Sequence, residues 1–113
     1  MKVNHYSFGR IIIDGKIYTS DVIIYPDRVD PSWWRKEGHH LNAADLTDVI
    51  NAMPDVIVIG TGYSGMMAVP EETVKFIRSK GIDVHVARTE RAIEIFNSLP
   101  DDKKPVAALH LTC

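Results

Sequence analysis

Short apolar runs separated by turn residues occupy the first part of the chain, a pattern that indicates β-strands. The apolar segments at residues 11–13 and 17–19 flank Asp14-Gly15, and this dipeptide tolerates the positive φ angles of a type I′ turn. We therefore predict a tight hairpin. The apolar residues 22–25 are predicted to extend its second arm.

From residue 42 onward, apolar positions with a helical period alternate with continuous β-branched runs. Asn42 is a good N-cap, and four apolar residues after it recur at i, i+3, i+4 and i+7, on one face of a helix. These residues are Leu46, Val49, Ile50 and Met53. Thr89 is predicted to cap the last helix. In chain order we predict helices over residues 42–53, 70–80 and 89–99, and strands over residues 55–60, 82–87 and 106–111.

This alternation of strands and helices predicts an α/β fold, because parallel strands need crossover helices that then cover the sheet. The hairpin adds an antiparallel element. We therefore predict a three-layer α/β domain with a mixed sheet. The 113 residues are enough for one domain and too few for two, so residues 1–113 are expected to form a single domain.

Composition and charge exclude several classes of partner. Thirteen basic and fifteen acidic residues give a net charge of −2, so we expect no binding to nucleic acid. No apolar run approaches the ~20 residues that span a bilayer, and residues 1–10 lack the apolar core of a signal peptide. We therefore expect no membrane association and a cytoplasmic location. Cys113 is the only cysteine, which excludes a disulfide framework or a thiolate zinc site within the chain.

Residues 60–65, with the sequence Gly-Thr-Gly-Tyr-Ser-Gly, match the GxGxxG pattern of dinucleotide-binding proteins and follow a predicted buried strand. The match is incomplete, because the next helix is predicted to begin at Pro70 and not inside the glycine run. The apolar residues 66–69 lie between. The chain is also too short for two mononucleotide-binding halves. We therefore expect no bound dinucleotide and no other cofactor.

Two interpretations of this turn are left open. Either the glycines only turn the chain sharply, or the turn holds a small anion at the carboxyl end of the sheet, where open α/β sheets bind ligands. In the second case, hydroxyl and backbone N–H groups bind the anion together with the N-terminal end of the last helix. The candidate ligand-binding residues are Gly60, Thr61, Gly62, Tyr63, Ser64, Gly65, Arg88 and Thr89.

Residues 31–38 are predicted to be extended or to form a turn, and they contain Trp33, Trp34 and Arg35. Adjacent side chains of an extended segment point in opposite directions, so one indole is expected to face inward and the other outward. Trp and Arg dominate interaction hot spots. These three residues are therefore candidate protein contacts, and the alternative is that both indoles cover the open end of the core.

Histidines offer two further candidates. The rings of His39 and His40 would diverge in an extended segment, and no carboxylates or thiolates lie at a compatible spacing, so we expect no metal site. His110 and Cys113 have the residue types of a base and a nucleophile, but a chain terminus is a poor platform for chemistry that needs fixed geometry. No catalytic residue is assigned from the sequence.

Several segments together resemble a known family. They are Phe8 to Ile11, Asp14-Gly15, Trp34-Arg35, Gly38-His39, residues 54–62, Thr89 with Ala92, Phe96-Asn97, and residues 106–113. The chain resembles a small domain-of-unknown-function family first described in a methanogenic archaeon, which includes the adipogenesis-associated domain-containing protein and mitochondrial complex I assembly factor three. The resemblance implies a three-layer β+α/β fold with a five-stranded mixed sheet, an N-terminal hairpin and about three helices. It implies no established enzyme activity.

The resemblance also bears on function, because the mitochondrial assembly factor acts through protein contacts. We therefore favour a non-enzymatic protein-binding or assembly-type module whose partner is another protein or a second copy of this chain. The alternative is a protein or enzyme that binds a small anionic metabolite at the Gly60–Gly65 turn.

Overall fold

The computed structural model describes residues 1–113, and its first strands form a separate antiparallel sheet. The strands are β1 (Val3–Ser7), β2 (Arg10–Ile13) and β3 (Lys16–Tyr18). The predicted hairpin is confirmed, since Asp14 and Gly15 connect β2 to β3 with φ angles of 48° and 81°. Positive φ at both central residues is what a type I′ turn requires. The sequence pattern did not predict β1.

A second sheet of five strands forms the centre of the molecule. Its strands are β4 (Val22–Ile24), β5 (Val29–Asp30), β6 (Val56–Gly60), β7 (Asp83–Ala87) and β8 (Pro105–Leu109), in the spatial order β5-β4-β8-β6-β7. Strand β6 is parallel to β7 and β8, whereas β4 is antiparallel to β5 and β8. The predicted five-stranded mixed sheet is therefore confirmed.

The prediction that residues 22–25 extend the hairpin is wrong. These residues contain β4, which pairs with β5 and β8 and not with the hairpin. All of its side chains are buried, and they divide between the two cores. A strand that is apolar on both faces belongs inside a covered sheet, because a hairpin arm exposes one of its faces.

Three α-helices connect the strands, and they are α1 (Thr47–Asn51), α2 (Glu71–Ser79) and α3 (Thr89–Ser98). Short 3-10 turns at Ala43–Leu46 and Asp101–Lys103 precede α1 and β8. The first turn begins after Asn42, as predicted. Met53 does not share the buried face, because it lies beyond the end of α1 with φ 53° and is 63% exposed. Met53 precedes Pro54, and the residue before a proline avoids helical backbone angles.

Two apolar cores lie on the opposite faces of the five-stranded sheet. On one face, Leu46 of the first 3-10 turn, Val49 of α1 and Ile77 of α2 cover the sheet. On the other face, the three-stranded sheet and α3 do so, with Ile11 and Phe96 among the buried residues. The result is the three-layer arrangement that the sequence predicts. No helix has both the length and the apolar character that are needed to cross a bilayer.

Candidate functional site

The Gly60–Gly65 loop lies under the last residues of the chain, because β6 and β8 are parallel and place Gly60 beside Leu109. The backbone N–H of Tyr63 donates to the Thr112 carbonyl at 2.7 Å, and that of Met66 donates to the Cys113 carbonyl at 2.9 Å. The last residues therefore close over the loop by backbone hydrogen bonds.

Gly62 allows this close approach. Its φ angle is 110°, and a Cβ at this position would lie 2.4 Å from the carbonyl carbon of Cys113. Any other residue would both strain the backbone and collide with the last residue of the chain. The glycine of the motif therefore serves the packing of one chain segment against another.

Thr89 connects the loop to β8. Its hydroxyl accepts a hydrogen bond from the Gly62 N–H at 2.9 Å and donates to the His110 carbonyl at 2.6 Å. The prediction that Thr89 caps α3 is wrong, because Arg88 occupies the N-cap position and Thr89 is the first residue of the helix. A fully buried hydroxyl that satisfies two buried backbone groups is not free to bind the helix end.

Two further backbone donors of the loop are also paired within the chain, whereas the N–H of Ser64 makes no hydrogen bond within the protein. The N–H of Thr61 bonds to the Ala87 carbonyl at 2.9 Å, and the N–H of Gly65 bonds to the Gly62 carbonyl at 3.3 Å. The loop therefore brings the predicted ligand-binding residues together, but most of its N–H groups already have acceptors, and only that of Ser64 is left without one. An anion would gain access to the donors of Tyr63 and Met66 only after the last two residues move.

A solvent-exposed cleft of about 340 Å³ lies beside the loop. Tyr63 and Arg88 line it together with residues of the first turns of α3, namely Glu90, Arg91 and Glu94. Arg91 and Glu94 form an ion pair at 2.8 Å. Two of the predicted ligand-binding side chains thus reach the solvent here, in surroundings of mixed charge. Ser64 is also exposed.

Three charged or polar side chains that the sequence pattern did not connect meet near the ends of β4 and β8. Oδ2 of Asp21 lies 2.9 Å from Nη2 of Arg35 and 2.8 Å from Nδ1 of His110. Its other oxygen accepts a hydrogen bond from the Leu111 N–H at 2.7 Å. The Arg35 side chain is only 5% exposed, so this ion pair lies inside the protein.

The electrostatics of the cluster keep Asp21 ionised. Burial raises the pKa of a carboxyl group, but the hydrogen bonds from His110, Leu111 and Arg35 outweigh burial and hold the pKa of Asp21 below its ordinary value. The guanidinium also stacks on the Trp33 ring at 4.6 Å from its centroid. The cluster thus holds the loop that carries Arg35 against the end of β8.

An aspartate bonded to Nδ1 of a histidine corresponds to two of the three residues of a hydrolytic triad, in which Nε2 of the histidine contacts the nucleophile. Nε2 of His110 is buried and has no hydrogen-bonding partner, so no hydroxyl or thiol lies within its reach. Cys113 is exposed. The pair is therefore a structural contact in this conformation, and the geometry supplies no nucleophile for it.

The adjacent tryptophans have opposite environments, as predicted for an extended segment. Trp33 is buried, and its Nε1 donates to the Asp45 carbonyl at 3.1 Å. Trp34 is 76% exposed. Since Arg35 is buried as well, Trp34 is the predicted contact residue whose side chain faces solvent.

The two adjacent histidines also separate. The ring of His39 packs edge-on against that of His110, with 5.6 Å between their centroids. The backbone of His40 forms a bridge with Ala68. No three His, Cys, Asp or Glu side chains lie close enough together to hold a metal ion.

Comparison with known proteins identifies the family. A family model described as "Protein of unknown function (DUF498/DUF598)" matches residues 3–111. The chain belongs to this family. The match confirms the resemblance to a domain-of-unknown-function family that the sequence indicates, and it assigns no activity.

Solved structures of similar proteins have the same fold. The conserved hypothetical protein PH1505 from Pyrococcus horikoshii is 28% identical, with 100% of both chains covered and a TM-score of 0.84. The protein MT938 is 25% identical, with 99% of this chain and 98% of that chain covered and a TM-score of 0.82. A Mth938-like domain from Bordetella pertussis is 20% identical, with 97% of this chain and 85% of that chain covered and a TM-score of 0.77. At that identity the third likeness concerns the fold alone.

Proposed function

We propose that the chain is a non-enzymatic protein-binding or assembly-type module that contacts a cytoplasmic protein partner through Trp34. The observation that carries the proposal is the 76% exposure of Trp34, the largest among the exposed large apolar side chains. Exposing a whole indole ring to water is unfavourable, and such rings are enriched at the centre of protein interfaces.

The neighbours of Trp34 support this role because they are fixed. On one side, Trp33 is buried and bonded to the Asp45 carbonyl. On the other, Arg35 is paired with Asp21 and also donates to the Gly38 carbonyl at 3.0 Å. When the backbone on both sides of an exposed side chain is already fixed, less conformational entropy is lost on binding.

The absence of an assembled reaction centre among the candidate residues is consistent with a binding role. The Asp21–His110 pair has a buried Nε2, and most N–H groups of the Gly60–Gly65 loop are bonded within the chain. These contacts hold segments of the chain together, and this structural role supports a binding module more directly than an enzyme.

A site-specific crosslink tests the proposal. A photoreactive amino acid at position 34 should capture a defined protein in living cells, and the same group at Ile17, which is 53% exposed on the hairpin, should not. The captured protein, once purified, should bind the natural chain and lose at least about tenfold in affinity to Trp34→Ala, as expected for a hot-spot residue. Equal affinity of Trp34→Ala and Ile17→Ala would overturn the proposal.

The alternative proposal places a small anionic ligand at the Gly60–Gly65 turn. Its support is the unpaired backbone N–H of Ser64 in the turn, with Arg88 packed against Gly65. Under this alternative, inorganic phosphate or a nucleotide should raise the melting temperature of the natural chain but not of Arg88→Gln. Identical shifts in both, or no shift, would reject this site.

A further inference from the structure

The exposed indole of Trp34 stands at the edge of a second cleft, separate from the one beside the glycine loop. This cleft has a volume of about 300 Å³ and lies between the segment that carries the tryptophans and the start of α1. Its apolar lining includes Ile23, Trp33 and Val49, which are buried side chains of the core. This volume is at the lower end of the range of ligand-binding pockets, about 300 to 1,000 Å³.

Three carboxylates line the same cleft, and they belong to Asp30, Asp45 and Asp48. No Lys, Arg or His is among the lining residues, and none of the three carboxylates takes part in an ion pair of the protein. The cleft therefore carries a formal charge of −3 that the chain itself does not neutralise through direct contact.

The three carboxylates differ in how far the fold already uses them. Both oxygens of Asp45 accept backbone N–H groups, from Lys36 at 3.1 Å and from Asn42 at 2.9 Å. One oxygen of Asp30 accepts the Ser32 N–H at 3.1 Å. The side chain of Asp48 makes no hydrogen bond within the protein. Asp45 is thus needed for the fold, whereas Asp48 has its full capacity available for a ligand.

We infer that this cleft receives an arginine or lysine side chain from the protein partner, and that the docking segment of the partner is basic. The inference rests on the proposed function. The methylene stem of such a side chain would lie on the apolar lining, and its charged end would meet the carboxylates and the exposed face of Trp34. Cation–π contact with an indole and attraction to uncompensated carboxylates both favour a cation at this place.

Two synthetic peptides test the inference. One is a Gly-Ser nonapeptide that contains three arginines, and the other replaces each arginine by citrulline, which is neutral and of nearly the same shape. Binding is followed by NMR through the indole N–H signals of Trp34 and of Trp33, whose own N–H is bonded to Asp45. The arginine peptide should shift the Trp34 signal in a saturable way, and the citrulline peptide should not.

Matched charge variants locate the interaction. Asp48→Asn should weaken the arginine peptide about fivefold, and Asp30→Asn with Asp48→Asn still more, whereas Asp102→Asn, at an exposed site outside the cleft, should change nothing. Trp34→Ala should abolish binding. Raising the salt concentration from about 50 to 500 mM should also weaken binding several-fold, because exposed charges are screened.

The outcomes separate this inference from the proposed function. No saturable shift, equal shifts by both peptides, or equal effects of Asp48→Asn and Asp102→Asn would overturn the basic docking segment. Binding of free arginine as tightly as the peptide would also overturn it, because the cleft would then be a site for a small cation. A crosslinked partner that depends on Trp34 but not on Asp48 would leave the proposed function standing and remove only this inference.

Discussion

Asp21 and His110 are direct neighbours across two antiparallel strands, although 89 positions separate them in the sequence. Val22 of β4 pairs with Leu109 of β8, so the next residues outward, Asp21 and His110, face each other where this strand pair ends. Their side chains meet at 2.8 Å, and Arg35 reaches the same carboxylate oxygen from a separate loop. One carboxylate therefore ties together three distant parts of the chain.

We expect Asp21→Asn to destabilise the protein by about 3 kcal/mol, because removing one partner of a buried ion pair leaves the other charge uncompensated. The uncompensated charge would be that of Arg35, whose guanidinium has no other carboxylate partner. Urea denaturation measures the change. Asp27→Asn is the control, since it breaks the exposed pair with Arg28 and should cost less than about 1 kcal/mol. Equal effects of the two substitutions would contradict this account.

The same contact predicts how stability depends on pH. The pKa of Asp21 is lower in the folded protein than its ordinary value of 3.8, so the unfolded chain binds the proton more tightly. The stabilisation is complete above the unfolded pKa, and it is lost as the pH falls through the folded pKa. Free energies of unfolding measured between about pH 6 and 2 should therefore decline less steeply for Asp21→Asn than for the natural chain.

Much of the fold follows from local patterns in the sequence. The buried strand β6 is a run of β-branched residues, and the β2–β3 turn has the residues that a type I′ turn requires. The assignment of β4 was wrong because adjacency in sequence suggested a hairpin arm, whereas its two apolar faces demand a covered sheet. Short-range patterns thus predict elements more reliably than they predict which strands pair.

The site was harder to predict for a related reason. Asp21, Arg35 and His110 each look ordinary in their local sequence, and only the register of β4 and β8 brings two of them together. The glycine motif was visible, but its function in packing depends on residues 112–113, whose carbonyls lie against it. By contrast, the opposite environments of Trp33 and Trp34 followed from the alternation of side chains in an extended segment.

Thr89 provides a test of how the glycine loop is held to β8. Thr89→Val has nearly the same shape but removes the hydroxyl, so the Gly62 N–H and the His110 carbonyl both lose their buried partner. We expect a loss of about 2 to 3 kcal/mol in the free energy of unfolding, measured by chemical denaturation. Thr89→Ser keeps the hydroxyl and should recover most of this loss. If the serine variant is as unstable as the valine variant, the hydrogen bonds are not the cause.

Gly62 and Gly15 both have positive φ, at 110° and 81°, but a Cβ at Gly62 would strike Cys113 whereas one at Gly15 would meet open space. Gly15→Ala therefore measures backbone strain alone, about 1 kcal/mol. Gly62→Ala adds the collision, so we expect a larger loss of stability and release of residues 112–113 from the loop. Hydrogen exchange should then accelerate at the amides of Tyr63 and Met66, which donate to those residues, and stay slow there in Gly15→Ala. Unchanged exchange at both amides in Gly62→Ala would contradict this expectation, because residues 112–113 would then have stayed in place and another part of the chain would have moved to relieve the collision.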